Sequence, residues 1–176
     1  MDTVNNARTM PWKVAIEPFR VAPRVWYVGN TWVGSFLIQT SEGLALIDTT
    51  VMEDLYLLID SIHRLGFDPK DLKHIFLTHA HMDHDGAARA LKELTGAKVW
   101  LSREDEEWRH RPEADMSDTG FSIVPYETDC FYEDETPIVM GDVVIRTRLS
   151  AGHTPGTTSF FVEMKDEEGK TVVWGM

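Results

Sequence analysis

A chain of 176 residues with 43% hydrophobic content is long enough for one domain with a real core. Its 17 basic against 29 acidic side chains leave a formal charge of -12, which argues against nucleic acid as a partner, because phosphate binding depends on accumulated Lys and Arg. No apolar stretch approaches the roughly 20 residues that cross a bilayer, and a single cysteine, Cys130, excludes an intrachain disulfide framework and reads as an inert thiol.

The opening segment to about Arg24 carries Pro11, Pro18 and Pro23 and is expected to form an extended arm. Met1 to Arg8 lacks the charged start and apolar centre of a secretory signal. As written, the chain is expected in the cytoplasm, or in the periplasm or outside the cell where a leader has been removed. Val25 to Val28, Ser35 to Gln39 and Leu44 to Asp48 are short runs rich in aromatic or branched residues. Gly29-Asn30 and Ser41-Glu42-Gly43 separate them, the composition of a hairpin meander. Leu55, Leu58, Ile59, Ile62 and Leu65 then follow helical spacing, with Gly66 placed to end the helix and Pro69 just beyond it. His74 to Thr78 is the next strand, Ala87 to Leu94 a helix stopped by Gly96, and Lys98 to Leu101 a further strand.

Directly after the apolar Ile75-Phe76-Leu77 comes His79-Ala80-His81-Met82-Asp83-His84, four metal-capable side chains in six residues. In an extended segment His79 and His81 point the same way, whereas Asp83 and His84 turn elsewhere as the chain enters a helix near Asp85-Gly86. One loop can therefore serve two ions. Neutral imidazole suits zinc, and a catalytic zinc site keeps one position open where a structural site is closed, usually by cysteines. The motif also sits at the carboxyl end of a strand, where open alpha/beta sheets bind ligands.

Ser102-Arg103-Glu104-Asp105 resembles a capping box with Asp in place of Glu or Gln, a structural role, and Glu106 to His110 continues a short helix. From 111 to 137 the chain holds Pro112, Pro125 and Pro137, many acids and few apolar residues; so long a loop is a candidate wall or lid for the site. Val143 to Leu149, Thr158 to Met164 and Thr171 to Trp174 read as an antiparallel run. Gly152-His153-Thr154-Pro155-Gly156 puts a histidine at the end of the first of these, in a turn bracketed by glycines and stiffened by Pro155, so that His153 has a fixed direction. His63, His74 and His110 read as structural or surface residues.

Leu46-Ile47-Asp48, the run from Thr78 to Gly86 and Gly152 to Gly156 together resemble the metallo-beta-lactamase fold superfamily. Pro18-Phe19-Arg20-Val21, Trp26-Tyr27-Val28-Gly29 and Ser35-Phe36-Leu37-Ile38 look most like the third subclass of class B beta-lactamases. The resemblance runs from about Pro18 to the end. It implies an α/β fold, the four-layer αβ/βα sandwich, as one domain over 1–176 with the C-terminal part of its second half missing from this chain. It further implies that His79, His81 and His153 bind a first ion and that Asp83 and His84 bind a second, whose third ligand is absent from this chain. Asp48 would be an acceptor that fixes the histidine loop. Trp32, in the Gly29 to Gly34 hairpin loop, either flanks the cleft as a substrate contact or packs as a half-buried aromatic. Met176 follows Gly175 where many superfamily hydrolases carry an Asp that bridges both metals; the third lactamase subclass allows its absence, which weakens the lactonase-like, thioesterase-like and nuclease-like branches.

The activity implied is that of a hydrolase with one or two zinc ions that uses a metal-bound hydroxide to open a cyclic amide in a small-molecule substrate, with Asp83 orienting the nucleophile. Three alternatives stand beside it. One is a superfamily hydrolase acting on a lactone, thioester or phosphodiester. Another is a mononuclear iron oxygenase of the same fold, iron or manganese replacing zinc. The last is an inactive truncated fragment. Neither nucleic acid nor a membrane is expected as a partner.

Overall fold

A computed structural model describes residues 2–176. The N-terminal segment is not an extended arm. Helix α1 (Thr3–Thr9) is capped by the Asp2 carboxylate, which accepts from the Asn5 amide at 3.0 Å, and β1 (Phe19–Ala22) pairs antiparallel with β2 (Val25–Tyr27). The prolines mark boundaries: Pro11 opens a 3-10 turn, Pro18 precedes β1 and Pro23 lies between β1 and β2, positions where a missing N–H costs little. Ala7 and Val14 are buried with Val51, Met82 and Phe121, which anchors this segment beside the histidine motif.

The meander continues through β3 (Phe36–Thr40) and β4 (Gly43–Ile47). Helix α2 (Leu55–Arg64) leads to β5 (Leu72–Phe76), and the short α3 (Met82–Asp85) and α4 (Ala88–Thr95) lead to β6 (Lys98–Leu101). Gly96 ends α4 in the left-handed conformation, φ 75°, its amide returning to the Lys92 carbonyl at 2.8 Å. Helix α5 (Arg103–Trp108) and β7 (Cys130–Phe131) follow, and β4 to β7 pair in parallel to complete a seven-stranded sheet in sequence order. Leu58 and Ile62 of α2 and Leu91 of α4 cover one face of this sheet, against Leu37, Leu46 and Ile75. Its parallel strands are buried on both faces, which is why Ile75 and Phe76 are both apolar: Ile75 meets the helices and Phe76 the second sheet.

That second sheet is antiparallel, with β8 (Ile138–Met140), β9 (Val143–Leu149), β10 (Thr158–Lys165) and β11 (Thr171–Gly175) in the order β11-β10-β9-β8. Val143, Ile145, Phe160, Val162 and Met164 face Val25, Ile38, Ala45, Ile47 and Phe76 across the interior. The alternation leaves Val139, Phe161 and Val173 exposed on the outer face. A helical layer and two facing sheets thus give three layers of the αβ/βα sandwich. Segment 111–137 is more ordered than its prolines imply, with 3-10 turns at Pro112–Ala114 and Ser117–Thr119 before β7. Asp129 anchors it, accepting from the Val99 amide and the Lys92 ammonium at 2.8 Å each. No helix among the described residues is long and apolar enough to cross a membrane.

Asn30 and Asp54 join the Gly29 to Gly34 loop to the start of α2. Asn30 Oδ1 accepts from the amides of Trp32 and Val33 at 2.7 and 2.8 Å, and its Nδ2 donates to Asp54 Oδ2 at 2.5 Å. The other Asp54 oxygen is buried without a partner. Burial, with Glu53 adjacent, pushes the Asp54 pKa from 3.8 up to about 7. A carboxyl raised in the folded state stabilises the fold fully below its unfolded pKa, and that contribution is lost as pH rises through the folded value. Asp54→Asn should therefore gain in Tm relative to the parent as thermal unfolding is followed from about pH 5 to pH 8; a Tm difference that stays constant over this range would contradict the assignment.

Candidate metal centre

Where β4 ends, Asp48 and Thr50 take left-handed backbone, φ 61° and 60°, a conformation that costs a non-glycine residue free energy, most of all a β-branched one. The turn delivers the buried Asp48 carboxylate to the loop after β5. Its Oδ1 accepts from the Thr78 amide at 2.7 Å, and its Oδ2 from the Thr78 hydroxyl at 2.8 Å and from His84 Nδ1 at 2.7 Å. A carboxylate only accepts, so His84 carries a proton on Nδ1, which in the neutral ring leaves Nε2 as a lone pair. The Thr78 hydroxyl, having donated to Asp48, accepts from His79 Nδ1 at 3.0 Å. That places the His79 proton on Nδ1 as well, and the Nε2 left over is buried with no hydrogen-bond partner.

His153 reaches this group from the turn between β9 and β10. Ring centroids lie 4.8 Å apart for His79 and His81, 4.7 Å for His79 and His153, and 4.6 Å for His81 and His153. His81 Nδ1 stands 2.9 Å from His153 Nε2, a distance at which two nitrogens share either a proton or a cation. One donor atom each from His79, His81 and His153 lie within 4.8 Å of one another, and so do those of His79, Asp83 and His84. His79 thus stands at the junction of both groups. Burial, reinforced by its three histidine neighbours, drives the His79 pKa down to about 2, and burial with His153 lowers that of His81. Burial also opposes charge on His84, but Asp48 and Asp83 outweigh it and raise the pKa. His79 and His81 are therefore neutral nitrogen donors at pH 7. An unpartnered inward lone pair, three imidazoles and no cysteine in the set fit a zinc ion.

The sequence pattern gave Asp105 only half its role. Ser102 Oγ does accept from the Asp105 amide at 3.2 Å, as an N-cap should. The Asp105 side chain, fully buried, does not reach back to the cap. Its Oδ2 accepts from the Ala80 amide and the Thr154 hydroxyl, both at 2.8 Å, and its Oδ1 from the Gly156 amide at 2.7 Å. Gly156 is required by this approach, because a Cβ there would lie 2.6 Å from the Asp105 nitrogen and collide with Ser102 Oγ. One signal was legible: Asp is shorter than the Glu or Gln that closes a capping box.

Trp32 stacks on Phe121 with ring centroids 5.4 Å apart, half-buried in the cluster that holds Met82. Segment 111–126 walls a cavity of about 430 Å³ beside the motif, lined by Met82, Asp85, Arg109, Met116, Ile123 and Tyr126 among others. The Tyr126 hydroxyl donates to Asp85 at 3.0 Å, and burial raises the Asp85 pKa to about 7. His63, His74 and His110 lie apart from the cluster; His74 Nδ1 accepts from Trp100 Nε1 at 2.8 Å, and His110 pairs with Glu106 at the surface.

Comparison with known proteins agrees with this geometry. The sequence profile of the metallo-beta-lactamase superfamily matches residues 33–175. The metallo-beta-lactamase GOB-18 from Elizabethkingia meningoseptica is similar in structure, with a TM-score of 0.85 and 34% identity over 95% of this chain and 63% of its own. BJP-1, a subclass B3 metallo-beta-lactamase of Bradyrhizobium japonicum, gives a TM-score of 0.85 and 28% identity over 95% of this chain and 64% of its own. The N-acyl homoserine lactonase AttM of Agrobacterium fabrum is 28% identical over 121 residues, 62% of this chain and 43% of that protein. The chain spans less than two thirds of the length of each of these relatives.

A buried, depressed histidine stabilises the fold above its unfolded pKa of 6.5 and loses that contribution as pH falls. In a nitrogen-15 NMR titration of the metal-free chain, His79 should remain neutral and protonated on Nδ1 down to about pH 4 or to the onset of unfolding. A His79 midpoint near 6.5, or a proton on Nε2, would contradict the hydrogen-bond relay from Asp48.

Proposed function

Because the chain belongs to the metallo-beta-lactamase superfamily, we propose that it is a zinc-dependent hydrolase that opens a cyclic amide, with His79, His81 and His153 holding one zinc ion and Asp83 and His84 serving a second. The observation that carries this reading is the convergence of three imidazoles from two sheets, their donor atoms within 4.8 Å of one another, with the His79 lone pair buried and unpartnered. What supports the amide over the ester is the naming of the solved relatives, metallo-beta-lactamases 28 and 34% identical that share their fold with 95% of this chain.

When bound, zinc supplies a Lewis acid for the substrate carbonyl and lowers the pKa of water toward about 7. The chain's own groups prepare that chemistry. The Thr78 hydroxyl and the Asp48 carboxylate hold the outer protons of His79 and His84, so that neither ring need release a proton at its inward nitrogen. Asp83, its carboxylate 3.6 Å from His84 Nε2 and partly open to solvent, accepts a hydrogen bond from the attacking water and turns its lone pair toward the carbonyl carbon. The carbon–nitrogen bond of the ring then breaks; the departing amine takes a proton from solvent, to which the attacking water gives up its own, leaving an amine and a carboxylate. Trp32 and Phe121 offer an apolar flank for the substrate, with segment 111–137 as the lid.

A second reading, a lactonase, is favoured by the name of the AttM relative and asks the same geometry to attack an ester carbonyl. Hydrolysis assays on the zinc-loaded chain with a penicillin, a cephalosporin, a carbapenem and an N-acyl homoserine lactone separate the two. Ring opening of the beta-lactams is expected, falling on the order of a hundredfold or more in His153→Ala. Turnover of the lactone alone would replace the first reading with the second, and zinc bound with no turnover of any substrate would sink both.

A further inference from the structure

We propose that Asp105 is the positioning residue that sets the spacing between His81 and His153, and thereby decides whether the three-histidine group can take a metal ion. The consequence for the metal rests on the zinc reading above; the geometry does not.

The two histidines belong to different sheets. His81 follows β5 of the seven-stranded sheet, and His153 follows β9 of the four-stranded one. On the Thr78 side of the group the sheets are tied directly, by the Thr158 amide donating to the Thr78 carbonyl at 2.9 Å. Toward His81 and His153 the tie is the Asp105 carboxylate. It holds the backbone of Ala80, between His79 and His81, and it holds Thr154 and Gly156, next to and just beyond His153. Position 105 is itself fixed by the Ser102 cap at the start of α5. A planar group that accepts from both turns makes their separation a property of one side chain.

The donor pattern also explains why the residue is an aspartate. All three partners donate, and two of them are backbone amides that sit on opposite oxygens: Ala80 on Oδ2 and Gly156 on Oδ1. An asparagine can turn its NH2 to either side, but each orientation sets N–H against N–H at one of the two turns. The collision is buried, where an unsatisfied or opposed donor is most costly. Asp48 and Asp105 then divide the work. Asp48 fixes how the rings of His79 and His84 are turned, whereas Asp105 fixes how far apart the two ligand-bearing turns stand. A residue that served only as a helix cap would affect stability and leave that distance alone.

Asp105→Asn in the full chain tests this with two readouts. One is zinc affinity, measured by competition with a chromophoric chelator. The other is the nuclear Overhauser contact between the His81 and His153 rings in metal-free protein, read beside the methyl signals of Leu46, Ile75 and Val162 as a control for the core. The expected result is loss of the ring contact with the core signals retained, and zinc binding weakened on the order of tenfold or more. Thr154→Val removes one of the three bonds and should shift both readouts the same way by less; it decides the matter if Asp105→Asn does not fold. An intact ring contact with zinc affinity within about twofold of the parent, in whichever variant folds, would overturn the proposal. If the parent itself takes no zinc, the zinc reading fails while the ring contact alone still decides the role of Asp105.

Discussion

Four imidazole rings packed with neighbouring centroids 4.1 to 4.8 Å apart cannot all carry charge, and they cannot all turn their protons inward. Wherever two ring nitrogens face each other, at most one can carry a proton. That requirement governs the surrounding structure. For His79 and His84 it is met by one buried carboxylate, which takes the outer proton of His84 directly and that of His79 through the Thr78 hydroxyl. The arrangement uses left-handed backbone at Asp48 and Thr50, at a cost of about 1–3 kcal/mol each. Such strain persists only where neighbours over-determine the turn. Here the Ser35 hydroxyl donates to the Asp48 carbonyl at 2.7 Å, and the amide and hydroxyl of Thr49 both donate to the His84 carbonyl, at 2.7 and 3.0 Å.

The sandwich exists, from the viewpoint of the centre, to bring two turns from two sheets to one place. Phe76 and Phe160 meet across the interior and hold the sheets face to face, so the end of β5 and the β9–β10 turn open onto the same cleft. Two close approaches then lock the loops. At Gly86 a Cβ would come within 3.0 Å of the Met52 amide and Val51 Cα, so the chain after Asp48 lies directly on the end of α3. At Gly156 the same lack of a side chain admits Asp105. Local glycine chemistry, inter-sheet packing and ligand spacing are thus successive consequences of one fold.

Much of this was legible in the sequence because it is written in short-range patterns. The period-two strands, the helical spacing from Leu55 to Leu65 and the stop at Gly96 are local, and the elements fall within a residue or two of their expected positions. The compressed motif from His79 to His84 signals metal chemistry without reference to the rest of the chain, and the Gly152 to Gly156 turn, weak alone, does so beside it. The misreadings share a physical cause. Pro11, Pro18 and Pro23 suggest an arm, but they sit at the edges of a helix, a turn and a strand, and the helix and turn are held by distant partners such as Met82 and Phe121. Strand β7 hides in an acid-rich segment because its two residues gain their structure from Trp100 and Leu101. Asp105 has a local reading, the helix cap, that is true as far as it goes and conceals bonds to residues 25, 49 and 51 positions away.

The central claim is that histidines from both sheets surround one metal ion, and X-ray absorption at the zinc edge of the loaded chain tests it most directly. The account predicts a first shell of nitrogen and oxygen with outer-shell scattering from three imidazoles, those of His79, His81 and His153, and no sulfur. A sulfur shell from Cys130, or scattering from fewer than two imidazoles, would contradict it.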